Sequence, residues 1–209
     1  MRKKINTKKM LHSVLIVLAL VSCERKYTQA ELDYIKEIEK IRKEKNIFMR
    51  DDPSSPFNYK GKIEFHELNY FDVNPDFVFK SKLYEYSTKD TITIFGTKGE
   101  PRKAVRYGYV IINYKSNNYK INVYESYSKN GDKYYTIWFT DKTTNKESYG
   151  VGRYLDFEKQ ENPDYIYTVD FNLAYNPYCA YNSNYSCAIP TKEDFIPIEI
   201  KAGEKKFHN

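Results

Sequence analysis

Between Thr28 and Lys45 the apolar residues Leu32, Ile35, Ile38 and, less regularly, Ile41 recur at three-residue spacing, with Glu31, Lys36, Glu37, Glu39, Lys40 and Lys43 between them. One apolar stripe among charges predicts an amphipathic helix. Thr28 followed three residues later by Glu31 fits a capping box, and the breaker cluster Asp51-Asp52-Pro53-Ser54-Ser55-Pro56 ends the helical region, which we place at 28–50. The stripe needs a surface to cover it, so the helix is expected to dock on the domain C-terminal to it; a free stalk is the alternative, because the stripe is narrow.

From residue 57 to 209 the period changes to two. Ile63 and Phe65 alternate with Lys62 and Glu64, and Ile92 and Ile94 alternate with threonines before a turn at Gly96 to Gly99. The Tyr-, Val- and Ile-rich runs Tyr107 to Tyr114 and Tyr119 to Ser126 flank Lys115-Ser116-Asn117-Asn118 and predict a hairpin. Tyr135, Ile137 and Phe139 share a face of the next strand, Asp141 closes it, Lys142 to Lys146 turn and Glu147 begins the return. Further strands are expected at Phe77 to Tyr86, Tyr165 to Phe171 and Ile196 to Ile200. About eight short strands with frequent turns imply a mainly β fold, an antiparallel sandwich or partly open barrel preceded by one amphipathic helix.

The first 22 residues obey another logic. A basic stretch, Met1 to Lys9, precedes the apolar run Met10 to Val21, then Ser22 and Cys23. The run is too short to span a bilayer as a helix, which needs roughly 20 apolar residues, so 1–22 is expected to be a cleaved secretory signal. Leu20-Val21-Ser22-Cys23 looks like a bacterial lipobox, which makes Cys23 the acylated first residue of the mature protein and 23–27 a short tether. Palmitate-type chains on Cys23 hold a domain on a membrane without crossing it. The expected address is the bacterial cell envelope, outside the cytoplasm, on the outer membrane if the cell is Gram-negative.

Charge changes its meaning once the signal is set aside. The chain carries 34 basic and 28 acidic residues, a formal charge of +6; without Arg2, Lys3, Lys4, Lys8 and Lys9, 29 basic residues face 28 acidic ones. A nearly neutral folded part argues against nucleic acid as a partner, which requires a clustered basic surplus. Aromatic residues make up 17% of the chain, too much apolar mass for disorder.

Catalytic signatures are sparse. After the signal only His66 and His208 remain, and there is no HExxH, GxSxG, P-loop or CxxC. No metal and no cofactor are predicted. His66 falls on an expected strand, and Gly150-Val151-Gly152 lacks the helix that a dinucleotide loop requires after it. Cys179 and Cys187, in an extracytoplasmic domain, are expected to form a disulfide; a redox-active or metal-binding pair is the rival.

A polar constellation remains in the C-terminal half. If Asp141 faces Glu147, then Phe139 pairs with Tyr149, Ile137 with Val151 and Tyr135 with Arg153, which puts Arg153 on the inner face of the sheet. A guanidinium there requires a carboxylate, and Asp141, Glu147 and Asp170 are the candidates. Asp170 and Asn172 form a stripe of their own, and Asn176-Pro177 turns the chain into the cysteine loop. Such a cluster is either a buried ion pair with hydrogen-bonded asparagines or the lining of a ligand site.

Three stretches carry a resemblance: Trp138 to Thr143, Glu147 to Asp156 with its Tyr149-Gly150-Val151-Gly152-Arg153-Tyr154-Leu155-Asp156, and Asp170 to Tyr181, then Cys187-Ala188-Ile189-Pro190 and Ala202-Gly203-Glu204-Lys205. The chain resembles the bacterial domain-of-unknown-function family 1684, whose members share YGxGRYLD and DFNxAYNPxCAY segments and a second cysteine, often in a lipoprotein. The resemblance covers Tyr107 to Lys205 and extends to the upstream helix. It departs where Ala188 replaces a common proline, where Glu193-Asp194 stands for Glu-Asn, and where Asn145 replaces a turn glycine, a position at which Asn tolerates the left-handed conformation. The resemblance implies boundaries and an envelope address but no activity.

The expected role is therefore non-catalytic recognition of a small molecule or glycan, with Asp141, Tyr149, Arg153, Asp170, Asn172, Tyr175 and Asn176 near a common surface. A hydrolase for an envelope glycan or ester, using Asp141 or Asp170 as acid/base, and a purely structural lipoprotein are the alternatives.

Overall fold

The computed structural model describes residues 25–128 and 130–208. The expected signal peptide and the lipidated Cys23 lie outside the described residues. Helix α1 spans Gln29–Asp51, with Thr28 and Glu31 forming the capping box and Asp52 ending it; such a cap stabilises a helix by about 1 kcal/mol. The helix docks on the domain and does not stand as a stalk: Ile38 and Met49 are buried, Tyr34 donates to Asp170 Oδ2 at 2.7 Å, and Arg42 donates to the Phe71 carbonyl at 2.9 Å. Arg25, in the expected tether, bridges Glu31 and Asp76 at 2.8 and 2.6 Å. No helix among the described residues is long and apolar enough to cross a membrane.

Among the described residues nine strands come after it, at Val78–Ser81 (β1), Tyr84–Glu85 (β2), Thr91–Phe95 (β3), Pro101–Tyr114 (β4), Asn117–Tyr127 (β5), Lys133–Asp141 (β6), Arg153–Phe157 (β7), Tyr167–Asp170 (β8) and Phe195–Ile196 (β9). The main sheet runs β2-β4-β5-β6-β7, with β3 also on β4 and β9 on β6; β1 and β8 form a separate pair. Every pairing is antiparallel except β6 with β9. The fold is mainly β with one helix, and the path from β2 to β7 does not close into a barrel.

One face of the sheet holds the larger core. Val110, Ile112, Ile121, Val123, Ile137, Phe139 and Leu155 pack there against Phe77 and Phe79 at β1, Val169 on β8 and Phe171 just after it. The opposite face carries a smaller cluster of Ile94, Ala104, Tyr124, Trp138 and Ala188. A third cluster joins the end of α1 to the C-terminus through Met49, Phe57, Leu68, Tyr181 and Phe207.

Several expectations are corrected in detail. The β4–β5 loop has two residues, Lys115 and Ser116, both with positive φ (49° and 64°), because Asn117 and Asn118 pair with Tyr114 and Asn113. Two consecutive left-handed residues match the twist of a tight hairpin. The Ile63/Phe65 segment forms no strand; these side chains pack on the third cluster, and His66 stacks on Phe207 with ring centroids 3.8 Å apart. The expected strand from Phe77 to Tyr86 divides into β1 and β2, and that from Ile196 to Ile200 shortens to β9.

The largest correction concerns register. Arg153 pairs with Phe139, Ile137 with Leu155 and Tyr135 with Phe157, a slip of four residues from the expected alignment. Residues 142–152 are not strand but a folded loop. Thr143 and Ser148 hydroxyls meet at 2.8 Å, Asn145 takes φ 64°, and Gly152 takes φ 110°, where a Cβ would lie 2.6 Å from the Phe139 carbonyl oxygen. A slip of an even number preserves the face, so Arg153 still points inward.

Candidate functional site

Strand alternation decides which residues meet. The inner positions of β6 and β7, where Ile137, Phe139, Leu155 and Arg153 lie, are buried. Arg153 is 1% exposed. Its guanidinium donates to the carbonyls of Ile200 at 2.8 Å, Glu204 at 3.3 Å and Ala202, and reaches Asp141 Oδ2 at 3.5 Å. Gly203 makes the carbonyl cage possible: at φ 75° any Cβ would sit 2.5 Å from the Ala174 carbonyl oxygen. Asp141 also accepts from the Thr143 hydroxyl at 2.8 Å, the Thr144 hydroxyl at 3.1 Å and the Ile200 amide at 2.7 Å. Burial pulls the Arg153 guanidinium down to about 10 while Asp141 and Glu204 push it up, so it stays charged at neutral pH. The expected inner-face ion pair forms with Asp141. Glu147 instead meets Lys201 at the surface, 3.4 Å away.

The other expected site residues divide among separate clusters rather than sharing one surface with that pair. Asp170 and Asn172 lie beneath α1: Asp170 accepts from Tyr34, and Asn172 Nδ2 donates to Tyr34 Oη at 2.9 Å and to the Asn74 carbonyl at 2.8 Å. Asn176 is buried beside Glu204, its amide donating to Glu204 Oε2 at 2.9 Å and its Nδ2 to the Lys205 carbonyl at 2.7 Å. Glu204 is itself buried, accepting from Tyr181 Oη and facing Lys45 Nζ at 2.8 Å. Tyr149 reaches the cysteine loop, its Oη 3.5 Å from the Cys179 carbonyl oxygen. Of the expected site residues, only Tyr175 lines the aromatic concavity.

That concavity is on the opposite face of the sheet. Tyr134, Thr136 and Trp138 on β6 and Tyr154 and Asp156 on β7 floor a groove of about 340 Å³, and Tyr175, Pro177, Tyr178, Tyr185, Ser186, Cys187 and Arg102 wall it. Trp138 stacks on Tyr124 with centroids 4.6 Å apart and planes 13° apart, which fixes the indole. Tyr154 donates to the Ala188 carbonyl, and its ring meets Tyr175 edge-on at 6.1 Å. Tyr154 and Tyr175 also exchange backbone hydrogen bonds of 2.9 and 3.0 Å, so the free edge of β7 is closed at this point.

The groove is polar at both ends. Tyr175 Oη donates to Asp156 Oδ1 at 2.6 Å, and Lys45 Nζ sits 4.7 Å from the Tyr175 ring centre. At the other end Arg102 donates to the Ser186 carbonyl at 2.7 Å and to Glu100 Oε1 at 2.6 Å. Glu100 is held at about 2, first by the Ser186 hydroxyl and then by its own backbone amide and Arg102. An adjoining depression of about 380 Å³ shares Asp156, Tyr175 and Tyr178 and runs toward Lys45 on α1. A separate cavity of about 380 Å³ beside Arg106 and Lys120 is polar but neutralised within itself, since Arg106 meets Glu193 at 2.7 Å.

The segment that walls the groove is pinned from below. Asp194 is buried and accepts from Asn122 at 3.0 Å, Tyr124 at 2.7 Å and the Thr191 amide at 2.7 Å. Asp194 is thus an anchor for the chain just beyond Cys187. Cys179 and Cys187, the expected disulfide partners, lie side by side, the Cys179 amide donating to Cys187 Sγ at 3.2 Å. No group of three or more His, Cys, Asp or Glu side chains suited to a metal occurs among the described residues.

Trp138, Tyr154 and Asp156 were not among the expected site residues, because the inner stripe containing Arg153 carries the more conspicuous polar signal. A signal for the outer face was present: Tyr134, Thr136 and Trp138 alternate with the apolar inner positions, and a Trp on the outward side of a strand is unusual unless something covers or binds it.

A search of curated proteins finds no match. Among solved structures, the chain is similar to the solution NMR structure of an uncharacterized protein from gene locus rrnAC0354 of Haloarcula marismortui, with a TM-score of 0.61 and 24% identity over 86% of this chain and 98% of that one. At that identity the likeness concerns the fold. A family model described as protein of unknown function (DUF1684) matches residues 63–205, a span that includes every groove residue. The chain belongs to the DUF1684 family.

Proposed function

We propose that this protein is a lipid-anchored recognition module of the bacterial envelope, a sandwich-like body held by acylated Cys23, whose aromatic groove binds a glycan or similar polyhydroxylated small molecule. The observation that carries the proposal is the convergence of Trp138, Tyr134, Tyr154, Tyr175 and Tyr178 with Asp156 and Arg102 around one concavity. Aromatic faces offer apolar area to the C–H faces of a sugar ring, tyrosine tips offer hydrogen bonds, and a carboxylate and a guanidinium satisfy vicinal hydroxyls.

Binding is favoured over hydrolysis by the state of the two aspartates. Asp141 is buried with its oxygens committed to Thr143, Thr144, Ile200 and Arg153, and Asp170 is held by Tyr34 and Asn172. Neither lines the groove. An acid/base pair acting on a glycoside must flank the scissile bond.

The test is calorimetric titration of the purified protein with defined envelope glycan fragments, wild type against Asp156→Ala. Saturable binding weakened at least tenfold by the substitution is expected. Binding of equal strength in both proteins, or none by wild type across the panel, would contradict the proposal.

A further inference from the structure

The groove has a chemical feature that glycan recognition does not use. Cys187 forms part of its wall, and Cys179 is beside it but does not line the groove; both are half-buried. Two donors converge on this pair, the Cys179 amide on Cys187 Sγ at 3.2 Å and Tyr149 Oη on Cys179 Sγ at 3.8 Å, and the Thr97 hydroxyl accepts from the Cys187 amide at 3.2 Å. Arg102, Tyr149, Tyr154 and Tyr185 are the other titratable groups facing Cys187. The two sulfurs therefore differ in access: Cys187 lines the groove and Cys179 does not.

We propose that Cys179 and Cys187 form a thiol–disulfide exchange couple, with Cys187 the sulfur that reacts with an external thiol arriving through the aromatic groove and Cys179 the leaving sulfur. From the oxidised state a low-molecular-weight thiolate attacks Cys187 Sγ. The S–S bond breaks, and its electron pair leaves on Cys179 as a thiolate that accepts the Tyr149 hydroxyl proton in a hydrogen bond. A second external thiolate attacks the external sulfur of the mixed disulfide and releases Cys187, which takes up a proton. Two external thiols become one external disulfide; the protein gains two electrons and one proton, on Cys187, and the second proton given up by the external thiols goes to solvent. The reverse sequence oxidises the pair.

Chemical asymmetry supports the order of events. Exchange is faster when the leaving sulfur is the better-stabilised thiolate. Tyr149 Oη, 3.8 Å from Cys179 Sγ, donates to the sulfur that leaves, and contacts with Cys187, Tyr149 and Thr97 hold Cys179 below the ordinary thiol value against the cost of burial. A disulfide serving only as a staple has no need of a stabilised thiolate on one side.

Full-length protein in detergent micelles is equilibrated with glutathione buffers of stepped reduced-to-oxidised ratio, alkylated, and weighed. Reversible interconversion of dithiol and disulfide forms, with half-conversion inside the glutathione range, is expected. A pair that stays oxidised in saturating reduced glutathione, or stays dithiol in saturating oxidised glutathione, overturns the proposal. In the second arm, Cys179→Ser accumulates one glutathione on Cys187, and Cys187→Ser slows modification of Cys179 at least tenfold; equal rates would remove Cys187 from the entry role. Tyr149→Phe keeps the test independent of whether the cysteine variants fold. It is expected to raise the pH midpoint of Cys179 alkylation above that of the wild type, which a merely structural tyrosine would leave in place.

Discussion

Arg153 meets Asp141 at 3.5 Å with both side chains removed from solvent, and three backbone carbonyls accept from its two Nη groups. The ion pair ties the end of β6 to the start of β7 and draws the 200–204 segment across both. Removing one partner leaves an uncompensated buried charge, which typically costs ~3–5 kcal/mol. Arg153→Leu and Asp141→Asn should each lower the urea midpoint with the slope unchanged. A loss under about 1 kcal/mol in both would show that the pair does not hold the fold.

Gly203 should tolerate no side chain. Its φ of 75° and the 2.5 Å approach of any Cβ to the Ala174 carbonyl oxygen add strain to a clash with backbone. Gly203→Ala is expected to cost ~1–3 kcal/mol, read by thermal unfolding, whereas Gly131→Ala, where the same strained backbone meets open space, should cost less.

The β4–β5 turn should be improvable. Lys115 and Ser116 both hold left-handed backbone without being Gly or Asn, a conformation that costs roughly 1 kcal/mol for such residues. Replacing the pair with Asn-Gly should raise stability by ~1 kcal/mol. A drop in the unfolding midpoint would contradict the turn assignment.

Alkaline pH should unfold the protein cooperatively. Burial raises Tyr181, Tyr154 and Tyr175 well above the ordinary tyrosine value of 10. A group whose folded value is raised contributes stability that is fully present below its unfolded value and is lost as pH rises through the folded one. Between pH 10 and the folded values the unfolded chain binds fewer protons, so stability falls by ~1.4 kcal/mol per pH unit for fully buried Tyr181. Arg153 works in the opposite direction from about 10 upward, as does Arg42, which burial also lowers, two groups against the larger set of tyrosines. Tyrosinate absorbance should rise in step with loss of secondary structure above about pH 10; gradual ionisation with the fold retained would contradict this.

The helix is legible in the sequence because the capping box and the Asp51–Pro56 breaker are local signals, and both ends lie within a residue or two of their expected places. The hairpins are legible for the same reason. Register is not. The 142–152 segment looks like a short turn, but the Thr143–Ser148 contacts that fold it into a compact loop are side-chain geometry that a linear pattern does not carry. The inward placement of Arg153 survives because the slip is even. Asp170 and Asn172 suggest a possible pocket because a polar stripe on a strand looks the same whether it faces water or, as here, a helix that brings Tyr34 to it. The groove depends on β6, β7 and the 175–188 segment meeting across long sequence separations, and only the outward Trp138 announces it.

The most direct measurement is the emission of Trp138, the one tryptophan in the chain, which lies in the groove itself. Titrating the protein with the envelope glycan fragments should change that emission saturably in wild type and require at least tenfold more ligand in Asp156→Ala. Calorimetric binding that leaves the Trp138 emission untouched would place the ligand elsewhere and contradict the account.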